Sequence, residues 1–520
     1  MSLLAREEGM KLWRRMASWV LVGSLICQSL FVQDVHATDT DRKEEEKQVL
    51  VVYKNGKGKE AAQERGEVLY TFKTIPALSV EAKERDVNAL KRNPNVLRVE
   101  ENASFSITEN KTSVVLKTAN VGSTEETTWN VKMLHAPEAW ERGITGKSVK
   151  VAVVDTGVTP HSDLQVKGGV STVDYTSSYM DDNGHGTHVA GIISAERNGV
   201  GMVGVAPDAD IYAVKAMNAE GKGTLLDILE ALDWCIQNRM DIVNISLATS
   251  VDSPTLKTMV QEMANKGMLL VASSGNVGTM EETQDSVLYP ARWDEVIAVG
   301  AVDEQMKRTW FSSAGPSLDV VAPGENIVST AKDGISYVAK TGTSQAAPHV
   351  SGMLALLKQE YPTFTASQLR QELVKQAQDL GATGRDDWYG YGLVQYLKRA
   401  QIPAEVLQQI DLTLKLAERY QLSTYIDRAK QMIESLPESE ERQAFMQRLQ
   451  PLLRQPQVEA QPLPVREPSQ MDLRNAELTL QLAERYKLPV YMDRAKRLID
   501  ALPDGATKQE LLRRWSMIQK

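Results

Sequence analysis

Cysteine is nearly absent from this chain: Cys27 and Cys235 are the only two among 520 residues. Cys27 falls in an N-terminal apolar stretch that reads as a leader, so its removal leaves one thiol and no internal disulfide. An exported chain of this kind has to be held by core packing, a metal, or both. Excess positive charge is missing too. The net charge of −9 offers no basic footprint for nucleic acid. Beyond the leader, no segment is apolar enough to span a bilayer. The hydrophobic fraction is nevertheless 42%, enough for a sizeable core, and 520 residues exceed one ordinary domain.

The leader combines Lys11, Arg14 and Arg15, the apolar run Met16 to Val32, and small residues at Val35-His36-Ala37. This is the pattern of a secretory signal peptide over residues 1–37. Basic residues on the far side, which a membrane anchor would carry, are lacking. Next, Gln48 to Tyr53 reads as a strand followed by a Gly-Lys loop, and Glu67 to Phe72 as a second strand. Val80 to Asn93 reads as an amphipathic helix and Asn95 to Glu100 as a third strand. Together they make a small α+β unit, marginal in stability alone. From Thr108 to Thr128 the sequence is polar and aperiodic, a linker open to cleavage.

The central region alternates strand and helix in the manner of parallel βαβ units. Val149 to Val154, apolar but for Lys150, is a run of the buried parallel-strand kind ending in Asp155-Thr156-Gly157. An aspartate at the carboxyl end of such a strand lies where α/β sheets build their sites, although turns also use aspartate. Asn183-Gly184-His185-Gly186-Thr187-His188 follows, with His185 between two glycines that would let a substrate backbone approach its ring. His185 and His188 share a helix face, but no cysteine, third histidine or helical glutamate completes a zinc set; His188 is expected to pack or hydrogen-bond within the helix. Cys235 sits on an apolar helix face as a buried hydrophobe. Asn276 follows Ser274-Gly275 at another strand end, and Ser344 precedes an alanine-rich helix running to about Tyr361. A serine there could be a cap and nothing more. The four together supply what acyl transfer needs: nucleophile, base, orienting carboxylate and oxyanion donor. Their order, Asp then His then Ser, is the subtilisin order.

On these motifs, with Pro348-His349-Val350, Phe311-Ser312-Ser313-Ala314-Gly315 and Val321-Ala322-Pro323-Gly324, the region from about Thr128 to Ala400 resembles the catalytic domain of subtilisin-like serine peptidases (family S8). Residues 48–107 resemble the family's inhibitory propeptide. The resemblance implies an α/β, three-layer fold with a mostly parallel central sheet. It implies Ser344 as nucleophile, His185 as general base, Asp155 as its orienting partner and Asn276 as oxyanion donor. Gly221, Gly223, Ser246, Leu247 and Ala248 match the segments that pair with an extended polypeptide substrate. Ala248 replaces a usual glycine and Leu288 a usual small residue, so a modest apolar residue before the cleaved bond is expected. Gln345 stands where methionine is usual, which implies resistance to peroxide. Asp163 with the loop carrying Glu196, Asn198, Val200 and Met202 matches a structural Ca²⁺ site, and Glu125 aligns weakly with a further ligand.

Beyond Ala400 a segment repeats: Leu414-Lys415-Leu416-Ala417-Glu418-Arg419-Tyr420 returns as Leu480-Gln481-Leu482-Ala483-Glu484-Arg485-Tyr486. Each copy reads as helix, turn, helix, too small to bury its own apolar face. The expected organisation is signal peptide 1–37, propeptide 38–115, catalytic domain 116–400 and helical repeats 401–520. The copies, 401–454 and 471–520, flank a Pro-rich linker. The expected activity is that of a secreted, autoprocessed endopeptidase inhibited by its own propeptide. The rival is a silent or maturation-only member whose repeats bind protein.

Overall fold

The computed structural model describes residues 46–107, 114–116, 125–281, 285–397, 404–436, 439–454 and 470–518. The expected leader, most of the 108–128 linker and nearly all of the Pro-rich linker lie outside the described residues.

The first unit is an antiparallel sheet of order β2-β3-β1-β4, from β1 (Glu46–Tyr53), β2 (Glu67–Thr71), β3 (Ala77–Lys83) and β4 (Val96–Glu101). Two helices, α1 (Gly56–Arg65) and α2 (Glu84–Lys91), cover one face, burying Val49, Val51, Ala62, Val80, Val87 and Leu90. Two expectations change here. The Gly-Lys loop is helix α1, started by Asn55, whose side chain accepts from Gly58 N. The helix expected from Val80 begins only at Glu84, because Leu78, Val80 and Ala82 are strand positions of β3, the strand between β1 and β2. The other face carries Leu50, Val52, Phe72 and Ile75, which join the main core. The unit ends in β5 (Ser104–Ile107), followed by a short β6 (Val114–Leu116).

After two short helices, α3 (Trp129–Met133) and α4 (Ala136–Trp140), the main sheet begins. Its strands are β7 (Lys150–Asp155), β8 (Gly168–Ser171), β9 (Asp210–Lys215), β11 (Ile242–Ile245), β13 (Leu269–Ser273), β14 (Ile297–Val302) and β15 (Val320–Pro323). They pair in the order β15-β14-β13-β11-β7-β9-β8, every pair parallel. Their near-continuous Val, Ile, Leu and Ala content suits a sheet buried on both faces. Helices α5 (His185–Ser194) and α8 (Thr343–Glu360) pack together and onto the sheet. So do α6 (Leu225–Gln237) and α7 (Pro254–Asn265), as a second pair. This is the three-layer α/β fold expected. Short strands β10 (Lys222–Thr224) and β12 (Leu247–Ala248) stand apart from the main sheet. The hairpin β16 (Ile327–Thr330) and β17 (Tyr337–Lys340) pairs with β6, and α9 (Ala366–Lys375) follows α8. From β7 the strand order runs both ways, and ligand crevices of open α/β sheets form at such a reversal.

Residues 399–520 form a second compact unit. Each repeat has three helices, not two: α10 (Ala404–Tyr420), α11 (Ser423–Glu434) and α12 (Glu440–Leu453), then α13 (Gln470–Tyr486), α14 (Pro489–Asp500) and α15 (Ala506–Ile518). The third helix closes each copy around its own core, Leu414, Ile426, Ile433 and Leu449 in one, Leu480, Tyr491, Ile499 and Leu511 in the other. Among the described residues, no helix is long and apolar enough to cross a membrane.

Candidate active site

Asp155 ends β7 and His185 opens α5, and the sheet reversal brings both to one crevice. Both are fully buried. The His185 Nδ1–H donates to Asp155 Oδ1 at 2.7 Å and lies 2.9 Å from Oδ2, which fixes the tautomer and leaves Nε2 as the basic nitrogen. His185 Nε2 has no hydrogen-bond partner among the described residues. The loops are knitted by Asp181: its Oδ1 accepts from Thr156 Oγ1 and Gly184 N, and its Oδ2 from Thr187 N and Oγ1. A Cβ on Gly186 would meet Gly157 O at 2.1 Å. Gly186 therefore admits the neighbouring Asp155 loop rather than a substrate, which corrects the reason expected for it.

Ser344 is the second residue of α8, and Gly342 is the N-cap, without a side-chain cap bond. The capping reading of Ser344 is thus excluded. Its Oγ donates to Ser246 O at 3.0 Å, and Ser246 Oγ returns a bond to Ser344 O at 3.0 Å. Behind them Asn244 Nδ2 donates to Ser246 Oγ at 2.8 Å, and Ser351 Oγ donates to Asn244 Oδ1 at 2.9 Å. This buried polar chain ties α8 to β11. The sequence signal for it is the asparagine inside the apolar run of β11. Asn276 Oδ1 accepts from Thr343 N at 2.9 Å and Thr343 Oγ1 at 2.8 Å, which directs the amide NH₂ away from Thr343.

Strand β5 lies between β10 and β12, antiparallel to both, with Gly223 opposite Phe105 and Leu247 opposite Ile107. Ile107 N donates to Gly221 O at 2.9 Å. Gly221 has φ +69°, and a Cβ there would strike Ile107 Cδ1 at 2.5 Å, so this glycine is the one that lets a peptide lie close. Ala248 pairs with Ser106, and Leu288 packs over Gly275 beside Asn276. The first unit is anchored elsewhere as well. Tyr70 Oη and Thr74 N donate to Asp233 of α6 at 2.9 and 3.0 Å, and Glu100 accepts from Ser253 Oγ and Thr255 N at the start of α7.

The chain matches the subtilase family (Peptidase_S8) over residues 146–392. It is 40% identical over 476 residues to the minor extracellular protease Epr of Bacillus subtilis (strain 168), covering 91% of this chain and 70% of that protein. To the thermostable alkaline protease of Halalkalibacterium halodurans it is 39% identical over 354 residues, 68% of this chain and 91% of the relative. Subtilisin Savinase of Lederbergia lenta is 45% identical over 266 residues, 51% of this chain and 96% of the relative. The chain belongs to the subtilase family. It is a serine endopeptidase.

His188 and His349 of this subtilase are structural. His188 Nε2–H lies 3.0 Å from both Ile327 O and Val338 O, and burial near Lys340 and His185 holds its pKa well below normal. His349 is lowered to about 4 by burial; it donates to Gln345 O at 2.8 Å and accepts from Asn130 at 2.7 Å. Gln345 itself is fully buried, and neither amide atom has a hydrogen-bond partner among the described residues.

Among the described residues no cluster of three or more His, Cys, Asp or Glu is arranged for a metal. The loop after α5 still offers hard oxygens. Asp163 is fully buried; its Oδ2 accepts from Met202 N and Tyr337 Oη at 3.0 Å each, and its Oδ1 has no hydrogen-bond partner among the described residues. Burial raises Asp163 to about 6, with the Glu125 carboxylate adding to the effect. Asn198 Oδ1 accepts from Val200 N, Glu125 Oε1 from Gly199 N, and Glu196 N donates to Asp163 O. Glu196 lines a surface cavity with Lys167 and Asp210. An orphaned buried carboxylate oxygen among amide and carbonyl oxygens suits Ca²⁺.

Proposed function

We propose that this subtilase is exported by its leader as a precursor whose own first unit inhibits it, and that an Asp155–His185–Ser344 triad performs the hydrolysis. One observation carries the reading: β5 occupies the groove between β10 and β12 as an added strand, the way an extended substrate would bind. In this reading Ser344 Oγ turns from Ser246 O to attack a polypeptide carbonyl, and His185 Nε2 takes its proton. Asp155 holds the Nδ1–H tautomer and steadies the imidazolium without taking the proton. The tetrahedral oxyanion is held by Asn276 Nδ2–H and by the Ser344 N–H at the start of α8. His185 then passes the proton to the leaving amine, and water hydrolyses the acyl-enzyme by the same steps in reverse.

The bond cut in maturation lies beyond Ile107, within the linker 108–128. Asp163, Asn198 and Glu125 side chains with carbonyls of the 196–202 loop would hold a structural Ca²⁺, which pins that loop and takes no part in the chemistry. The test is intact mass and casein hydrolysis of the parent beside Ser344→Ala. The variant should stay at precursor mass and lose activity on the order of 10⁶-fold. A parent that neither sheds its first unit nor cuts casein would overturn the reading.

A further inference from the structure

Lys215 ends the strand Asp210–Lys215 with an ionisable group. It stands level with Asp155 in the β7–β9 register and is fully buried. An ammonium has three protons to place. Lys215 Nζ donates one to Thr156 O at 2.7 Å, one to Asp182 Oδ1 at 2.7 Å and one to Met217 O at 3.0 Å. Asp182 Oδ2 accepts from Tyr175 Oη at 2.6 Å, and the Tyr175 ring centroid lies 5.6 Å from Nζ. Burial opposes ionisation of Asp182, yet the bonds from Lys215 and Tyr175 lower its pKa all the same. Asp182 is therefore held as a carboxylate opposite the Lys215 Nζ.

The three acceptors belong to three segments that meet at the site. Thr156 directly follows Asp155. Asp182 lies three residues before His185. Met217 begins the turn that leads to Gly221 and β10, and its N–H, with that of Ala216, donates to Asp155 O at 3.1 and 2.9 Å. A buried charge costs free energy that an apolar side chain would not. Packing alone gives no reason for an ammonium here, whereas three fixed acceptors on three functional loops do.

We propose that Lys215 is a positioning residue for proteolysis: its three hydrogen bonds fix the Asp155 and His185 loops against each other and against the substrate-pairing strand β10. It never touches substrate, and it acts through the Asp155–His185 pair, so the inference rests on the triad reading above. Asp181 ties the same two loops independently through Thr156 and Thr187, so loss of Lys215 should leave the fold standing.

The test uses the full chain carrying Lys215→Met or Asp182→Asn beside the parent and Ser344→Ala. After maturation, a serine-directed titrant counts competent sites, and kcat and KM are measured per site on a peptide amide. Lys215→Met should keep its titrant burst and KM within about threefold while kcat per site falls about 10- to 100-fold, the scale of a small misplacement of catalytic groups. Asp182→Asn, a near-isosteric change, should lower kcat less, about three- to tenfold, in the same pattern. It decides the matter if Lys215→Met fails to fold. An unchanged kcat per site in the folded variants overturns the proposal. So does a loss confined to the number of titratable sites, which is the mark of a merely structural lysine, or a loss confined to KM. Full activity in Ser344→Ala would instead overturn the triad reading.

Discussion

The two compact units of this chain use charged residues in opposite ways. In the unit ending at Lys398, the charges around the site are bonded across loops, Asp155 to His185 and Lys215 to Asp182 and two carbonyls, and of these Asp155, His185 and Lys215 are fully buried. In the unit from Arg399, the charges lie near the surface and come in duplicate. Arg448 pairs with Asp411 and Glu418, and Arg514 pairs in the same places with Glu477 and Glu484. Such exposed pairs contribute about 0–1 kcal/mol each. The repeats are therefore held by their apolar cores and by the third helix of each copy. The site is held by polar bonds that an apolar substitute cannot replace.

That contrast is broken most severely on the catalytic side by Asn276→Ala. The loss of one oxyanion donor should lower kcat about 100- to 1000-fold with KM nearly unchanged, because the bond strengthens only as charge develops on the oxygen. Steady-state kinetics on a peptide amide check it, and a loss below about tenfold would remove Asn276 from the site. On the other side, Leu480→Ala should remove about 2–5 kcal/mol of stability from the second repeat, through lost burial and the cavity left behind. Denaturant unfolding would read that loss, while casein hydrolysis by the folded variant stays at the parent's level. An equal fall in hydrolysis would mean that the repeats serve the catalytic unit directly.

How legible each region was follows from the same difference. The apolar runs ending in Asp155 and Ser273, and the glycine-bounded histidine, pointed to the parallel sheet and to the crevice residues, because buried strands and close approaches leave few residue types. Position in the chain said little about hydrogen-bond direction. A serine at a helix start can be a mere cap, but Gly342 holds that place before Ser344, and Gly186 makes room for the Asp155 loop and not for a substrate. The helix at Gly56–Arg65 was hidden by its glycines, since tertiary packing of Ala62 outweighs their poor propensity. The third helix of each repeat is not signalled in the sequence by the duplicated motif, which covers only the first two. Asn244, the one polar residue of its strand, and Lys215, a buried lysine at the end of another, are signals that the duplicated and glycine-flanked motifs do not contain.

The smallest expected effect, and the one that tests whether the catalytic unit needs a metal in place of disulfides, concerns Asp163. In metal-free protein its carboxyl titrates near 6 against an ordinary 3.8, raised by burial. A carboxyl raised by folding holds a proton that the unfolded chain has already released. Native stability therefore falls as pH rises from about 4 through 6. Ca²⁺ takes the proton's place and requires the ionised carboxylate, so its stabilisation should grow over the same window. With Ser344→Ala protein, to prevent self-digestion, Tm in EDTA should drop by a few degrees between about pH 4.5 and 6.5 and stay level in millimolar Ca²⁺. Asp163→Asn should flatten the EDTA curve and close the gap at pH 7. If EDTA and Ca²⁺ give the same Tm at pH 7, the loop binds no calcium, and packing alone holds a catalytic unit whose one described cysteine, Cys235, is free and buried.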